Sequence, residues 1–324
     1  MFDIASKMNE NEYFALDWAS KVQAKAELTA EDVEMSQEID VWAKEIGNGI
    51  RPVIELSAYL TKVTQPIYAN APFELLENFF EFSNVGEFDN FEEIEDAKNT
   101  LQAFEAARAV GNVDRTFIDY RSAAPTWKHI QLETEVTLEK LRKGGYKTVA
   151  ELTAFAEEAM RNKMFQMIMN VVDALIVSGD NYGTGALSET TVDAIVDYLN
   201  DYSNEGMILG TSARINEIRK LVPATLLSDG MKETLNRQGG LPFYRGVGFI
   251  GIPRTAKLAD GTMPVPVNTV YGIAGKVGEI INRGDMRVLS SQDNNSEKIH
   301  LKFTGMEFGV VIRHPENLFK HLIQ

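Results

Sequence analysis

Gly246, Gly248 and Gly251 stand at G-x-G-x-x-G spacing. That pattern binds dinucleotides when a strand ends there and a helix begins, so that helical N–H groups meet a pyrophosphate. Here the chain continues as "GVGFIGIPRT" to Pro253 with no helical period, so the glycines read as a twisted strand or bulge. The four histidines, His129, His300, His314 and His321, are scattered, and no H-E-x-x-H pattern occurs. Ser212 in "GTSAR" lacks the final glycine of a nucleophile elbow and reads as a helix cap. There is no cysteine, hence no disulfide, thiol nucleophile or thiolate metal site. "NNS" at 294–296 has sequon form but reads as a polar turn, and no two acids stand out as a catalytic pair. The sequence therefore assigns no catalytic, cofactor-binding or metal residue and no cofactor, which turns the reading towards a structural protein.

Composition fits that turn. The 324 residues are 44% hydrophobic and 24% charged, ordinary for a globular chain of about two domains. No apolar run reaches membrane-spanning length, and the start, "MFDIASKMNENEYF", lacks signal-peptide layout. A net charge of −15 argues against tight coating of nucleic acid. The charge is uneven: Glu74 to Glu105 carries ten acids against Lys98, whereas Ala106 to Thr148 carries eight bases against five acids. Such segments can be two solvated faces, or can pair between neighbouring subunits.

The elements follow from periodicity. The first 47 residues read as two helices: Phe14, Leu16, Trp18 and Ala19 in the first, Val33, Ile39, Val41 and Trp42 in the second. Thr29 and Asp32 stand at capping-box spacing. "RPVIELSAYLTKVTQPIYANAP" reads as extended between Pro52, Pro66 and Pro72, with a short helix near Phe73 to Phe82. Residues 86–128 are mixed, and residues 86–143 form a long excursion. It returns on "HIQLETEVTLEKL", where Ile130, Leu132, Val136 and Leu138 alternate with polar residues, as in a strand with one buried face.

Gly144 and Gly145 break that strand. Thr148 and Glu151 then have capping-box spacing, and apolar residues from Leu152 to Leu175 recur at helical steps. This predicts a helix of about thirty residues, its methionines serving as core filler. Residues 180–290 read as a compact α/β module: a helix from Ser188, a buried strand "GMILG", a helix from Ser212 and another over Asp229 to Arg237. Strands at "YRGVGFIGIP" and "KVGEIINRGDMRVL" complete it. The final strands, with Ile299, Leu301 and Phe303 on one face, pair back with segments near residue 55 or residue 130.

This order of parts resembles the major capsid proteins of tailed bacteriophages, whose shared α+β architecture is the Hong Kong phage capsid fold, also used by encapsulins. The likeness is carried by "WKHIQLETEVTLEKLRKGGYKTVAELTAFAEEAMRNKMFQMIMNVVDAL", similar to a return strand and spine helix. The closing "KVGEIINRGDMRVLSSQDNNSEKIHLKFTGMEFGVVIRHPENLF" carries the rest; there "RGD" reads as a turn between strands and not as a receptor-binding tripeptide.

The resemblance implies an N-terminal arm at 1–50 and a peripheral domain at 51–85, 144–182 and 291–324. It adds an extended loop at 86–143 and an axial domain at 183–290. It also implies self-assembly through pentamers and hexamers into an icosahedral shell enclosing double-stranded DNA without sequence-specific binding. The narrow-striped N-terminal helices need to lie on something else, either the body of this chain or a neighbour; the resemblance implies that their apolar partners are on neighbours. An encapsulin-like shell enclosing a cargo enzyme is the alternative. Some relatives begin with a long cleaved assembly domain; none precedes the arm here, which implies a mature form or a separate scaffolding protein, beside a portal and possible decoration proteins. Lys128, Lys140 and Lys143 are available for inter-subunit cross-linking, but no pattern marks one as reactive. No membrane partner is implied, and the place is the virion, with assembly in the host cytoplasm.

Overall fold

The computed structural model describes residues 14–69, 77, 79–87, 94–98, 119–123, 125, 127–203, 206–221, 243–254, 256–258, 260–293 and 295–324. Its helices are α1 (Phe14–Ala24), α2 (Ala30–Gly47), α3 (Ile54–Ala69), α4 (Leu138–Gly144), α5 (Tyr146–Leu175), α6 (Glu189–Tyr202) and α7 (Ser212–Leu221). No described helix is long and apolar enough to cross a membrane.

The capping box at the start of α2 is present, with the Thr29 side chain accepting from Asp32 N and the Asp32 carboxylate from Thr29 N. The buried stripe, however, is Met35, Ile39, Trp42 and Ile46, while Val33 and Val41 are exposed. The true stripe steps four, three and four residues, and the two valines lie off it. α1 packs along α5, and α2 packs on α4 and α5. Leu16, Trp18, Met35 and Ile39 belong to the main core. The buried stripes of the N-terminal helices thus find their apolar partners on the body of their own chain.

Residues 54–69 correct the extended reading: they form α3. Val53, Leu56, Leu60 and Val63 are buried at helical spacing. Pro52 precedes the helix, and Pro66 falls in its last turn, so neither interrupts the apolar stripe. The short helix expected near Phe73 to Phe82 is strand at its end; Phe73 and its neighbours to 76 lie outside the described residues. So does the helix expected over Asp229 to Arg237.

The strands are β1 (Phe80–Val85), β2 (Ile94–Lys98), β3 (Asp119–Ala123), β4 (Lys128–His129), β5 (Leu132–Thr137), β6 (Tyr182–Thr184), β7 (Gly206–Thr211), β8 (Phe243–Tyr244), β9 (Val247–Ile252), β10 (Thr269–Ala274), β11 (Gly278–Arg283), β12 (Arg287–Asp293), β13 (Lys298–Thr304), β14 (Glu307–Ile312) and β15 (Leu318–Leu322). They form a six-stranded sheet in the order β6-β15-β10-β7-β9-β8 and a four-stranded sheet β1-β11-β14-β4. A three-stranded sheet β12-β13-β5 and a two-stranded ribbon β2-β3 complete the set.

The six-stranded sheet is covered on both faces. Ile208 and Val270 turn towards α6 and α7, meeting Val192, Ile195, Leu199 and Ile215. Met207, Leu209, Tyr271 and Ile273 turn the other way, into the main core with α5. That explains why β7 is buried at every position: burial on both faces removes the alternation of a surface strand. α5 runs 30 residues, with Met160, Met164, Met167 and Met169 buried as core filler.

Candidate assembly interface

The return strand positions everything around it. β5 pairs antiparallel with β13, Val136 opposite Ile299 and Leu132 opposite Phe303, so the final strands do come back to the region near residue 130. Residue 55 belongs to a helix instead, yet α3 still touches β12. Thr61 Oγ1 accepts from Val288 N at 2.9 Å, and Ser57 and Ser290 hydroxyls meet at 3.1 Å. The strand stops one residue earlier than its alternation reads. Thr137 caps α4 by accepting from Lys140 N, so Leu138 is buried as the first helical residue.

On its outer face this sheet carries charges in register. Lys302 meets Glu133 at 3.0 Å, and Lys298 meets Glu135 at 2.8 Å. Glu135 is held below the usual carboxylate range, first by the hydrogen bond from Lys298 and then by its charge. Exposed pairs of this sort contribute little to stability. Their effect is to fix the register of the strand from which the excursion returns.

The root of the excursion is anchored more firmly. Trp127 lies with its ring under the Arg283 guanidinium, 4.4 Å from ring centroid to carbon. Arg283 Nε donates to Glu307 at 2.6 Å, and His129 Nε2 stands 2.9 Å from the same carboxylate. β4 pairs with β14 here, His129 opposite Glu307. Gly309 makes room: a Cβ on it would lie 2.9 Å from Pro125 Cβ and 3.1 Å from the Trp127 ring. Gly309→Val should therefore lift Trp127 off the sheet and cost about 1–3 kcal/mol. A red shift and increased quenching of Trp127 fluorescence, read in a chain whose Trp18 and Trp42 are replaced by phenylalanine, checks this.

Beyond the root, β2 and β3 pair with each other, Ile94 opposite Ala123, and with no other described strand. An isolated two-stranded ribbon is marginal in water. Its span between Lys98 and Asp119 lies outside the described residues.

A buried polar cluster ties α5 to the six-stranded sheet. Lys320 Nζ on β15 stands 2.7 Å from Asp173 Oδ1 and donates to Asp173 O at 2.9 Å. The Tyr271 hydroxyl on β10 donates to Asp173 Oδ1 at 2.5 Å. Burial alone would raise the Asp173 carboxyl, but the Lys320 and Tyr271 hydrogen bonds outweigh it and hold the group below its ordinary value. Tyr271 is pushed up, by burial first and then by the adjacent carboxylate.

The glycines and histidines whose types could do chemistry scatter across this frame. Gly246 forms the β8–β9 turn with φ 88°, and Gly248 and Gly251 lie within β9 alongside β7, with no helix opening after it among the described residues. A Cβ at Gly251 would sit 3.0 Å from Ser212 Cα, so that glycine lets α7 start against the sheet. His129, His300, His314 and His321 lie at four separate places. Among the described residues, no three histidines, aspartates or glutamates are placed to hold a metal. Arg283 ends β11, engaged with Glu307, and Gly284 and Asp285 begin the turn to β12.

A long spine helix, an α/β sheet at one end and a ribbon leaving the body define the fold of the tailed-phage capsid proteins. Solved structures agree. The "Asymmetric unit of bacteriophage PhiM1 mature capsid" matches with TM-score 0.51 at 11% identity, covering 75% of this chain and 86% of that one. The "Capsid structure of the Cyanophage P-SCSP1u" matches with TM-score 0.51 at 8% identity, covering 77% and 88%. A structure from Mycobacterium phage Bobi matches with TM-score 0.53 at 11% identity, covering 77% and 90%. No curated protein sequence matches. A family model does: residues 67–314 match the family described as "SPbeta prophage-derived putative capsid protein YonB", and the chain belongs to that family. It is a structural protein of a phage shell, and the encapsulin alternative has less support than the phage reading.

Proposed function

We propose that this chain is the major shell subunit, assembling through rings of five and six into an icosahedral shell around double-stranded DNA. The observation that carries the reading is the membership of residues 67–314 in a capsid family. The ribbon adds to it, since it leaves the body and finds no other described strand to pair with. Such a ribbon reaches over the adjacent subunit, and heterologous contacts repeated around an axis close into rings.

The proposed parts are an arm at 1–50, a peripheral domain at 51–85, 144–182 and 291–324, an extended loop at 86–143 and an axial domain at 183–290. The subunit does no chemistry. A separate scaffolding protein and a portal complete the particle, which assembles in the host cytoplasm. The acidic chain leaves the enclosed DNA unbound to the wall.

Negative-stain electron microscopy of the purified protein, with absorbance at 260 and 280 nm across the void peak, tests the proposal. Closed shells or rings of five and six are the expected result, and a nucleic-acid spectrum points to a genome rather than a protein cargo. A monodisperse monomer or dimer under every assembly condition, including added scaffold, overturns it.

A further inference from the structure

Of the four histidines, His321 alone is buried. It is 2% exposed, whereas the side chain of His129 is 60% exposed and those of His300 and His314 are each 43% exposed. It stands on β15, on the same face as Phe319 and Ile323, which pack into the apolar cluster beneath α6.

The imidazole closes on the connector, residues 176–188, that leads from α5 to α6. Nε2 lies 3.1 Å from Gly185 O. A carbonyl only accepts, so Nε2 carries the proton and Nδ1 of the neutral ring carries none. Nδ1 faces Gly183, where a Cβ would stand 2.7 Å from it. That close approach requires glycine at 183, and among the described residues Nδ1 has no hydrogen-bond acceptor.

Little else holds the connector here. β6 is three residues at the edge of the six-stranded sheet, paired with Lys320, His321 and Leu322. Lys320 N donates to Asn181 O at 2.9 Å and Gly185 N to Leu322 O at 3.0 Å. A short edge element with few contacts opens at lower free energy than the body it lies on.

We propose that His321 is an acid-sensitive latch: neutral, it holds β6 and the connector on the sheet, and protonated, it lets them open while the rest of the subunit stays folded. The inference concerns the single subunit and does not depend on the shell reading.

Protonation would place a charge and a second N–H where no acceptor waits. Burial therefore holds the imidazole below its ordinary value of 6.5, and the Gly185 hydrogen bond offsets only part of that. No charged side chain contributes. Lys320 and Tyr271, on β15 and β10, turn to Asp173 on the opposite face of the sheet. Asp180 and Tyr182 on the connector, and Glu189, Asp193, Asp197, Tyr198 and Asp201 on α6, add nothing to the shift. The open connector thus binds the proton more readily than the closed one. The latch is complete above pH 6.5 and weakens as the pH falls through that value towards the folded one. The Lys320–Asp173 pair holds to lower pH, because Asp173 titrates below 3.8. Acid therefore frees the connector before it frees the spine helix.

Hydrogen exchange of the whole chain tests this, read by mass spectrometry of peptides and corrected for the intrinsic rate. It is run from about pH 7.5 to about pH 5.5, the window in which imidazole changes charge. Protection across residues 179–187 should fall by up to about tenfold for each pH unit below 6.5, while protection of β7 in the same sheet stays constant. His321→Gln keeps a donor for Gly185 O and cannot titrate, so it should abolish the pH dependence. Gly183→Ala pushes the imidazole aside and should open the connector already at neutral pH. Protection of 179–187 that is independent of pH, or that falls only in step with β7, overturns the inference. So does an unchanged pH dependence in His321→Gln. The first two outcomes need only the native chain, so a variant that fails to fold leaves the test intact.

Discussion

Trp18→Ala is expected to cost the unassembled subunit about 3–5 kcal/mol, the range for truncating a fully buried tryptophan. Its side chain is 0% exposed, and its indole Nε1 donates to Ser36 Oγ at 3.0 Å. Ser36 Oγ in turn donates to Asp32 O at 2.7 Å. Truncation opens a cavity between α1 and α2 and leaves the serine hydroxyl without its indole donor. Lys21 gives a partial safeguard through Asp32, 3.3 Å away, but an ion pair near the surface offsets little of such a loss. Urea denaturation of the unassembled subunit measures the cost, and limited proteolysis before Thr29 follows the release of α1. The experiment also decides where the N-terminal helices belong. Helices carried on neighbours would leave the unassembled subunit indifferent to the substitution, and its urea midpoint would not move.

The long helix was legible because ten apolar residues repeat at helical steps, but its start was not. The T-x-x-E pattern at Thr148 and Glu151 suggests a capping box; α5 begins at Tyr146, after Gly145 with φ 52°. Thr148 Oγ1 donates instead to Lys140 O at 3.1 Å, and Tyr146 N donates to Asp40 on α2 at 3.3 Å. A cap supplied from 106 residues away leaves no local signature. α3 shows the opposite failure. Its 4–3 apolar spacing was present, but three prolines around it outweighed the periodicity, although a proline before a helix or in its last turn need not break it. Val33 and Val41 misled for a related reason, since β-branched residues on an outer helical face look like core until the better stripe is laid beside them.

The order of the elements was legible in part, and the long-range contacts that hold them were not. The strand-into-helix junction, the "RGD" turn and the closing strands follow from order and spacing along the chain. The Trp127–Arg283–Glu307 anchor joins residues more than 150 positions apart, and nothing near Trp127 signals its partner. Two weak signals did exist. Asp173 interrupts the most apolar stretch of the spine helix, and Lys320 sits inside the apolar run "LFKHLI". A carboxylate and an ammonium, each set where a hydrophobic residue belongs, are expected to find each other, because a buried charge is tolerated only when paired. The six-stranded order was hidden as well. β15 inserts between β6 and β10, pairing parallel with one and antiparallel with the other, and a terminal strand carries no local mark of that destination.

Asp173→Ala is the second large expected effect, about 3 kcal/mol, at the low end for breaking a buried pair from one side. The low end applies because the Asp173 side chain is 37% exposed whereas that of Lys320 is 10% exposed, so water reaches part of the gap. The substitution strands the Lys320 ammonium with a backbone carbonyl and removes the acceptor of the Tyr271 hydroxyl. Adding Lys320→Met should return most of the loss, since an apolar pair of similar volume often replaces a buried ion pair at little cost. Urea denaturation of the two single variants and the double variant gives the coupling, expected to be about 1–3 kcal/mol. Additive effects would show that the pair is incidental. The pH dependence has a definite sign. The folded carboxyl titrates below its ordinary value of 3.8, so its stabilisation is complete above that pH and fades as the pH falls through the folded value. The stability gap between the native chain and Asp173→Asn should thus be constant from neutral pH down to about pH 5 and close below it. The pair joins the spine helix to two strands of the six-stranded sheet, β15 through Lys320 and β10 through the Tyr271 hydroxyl.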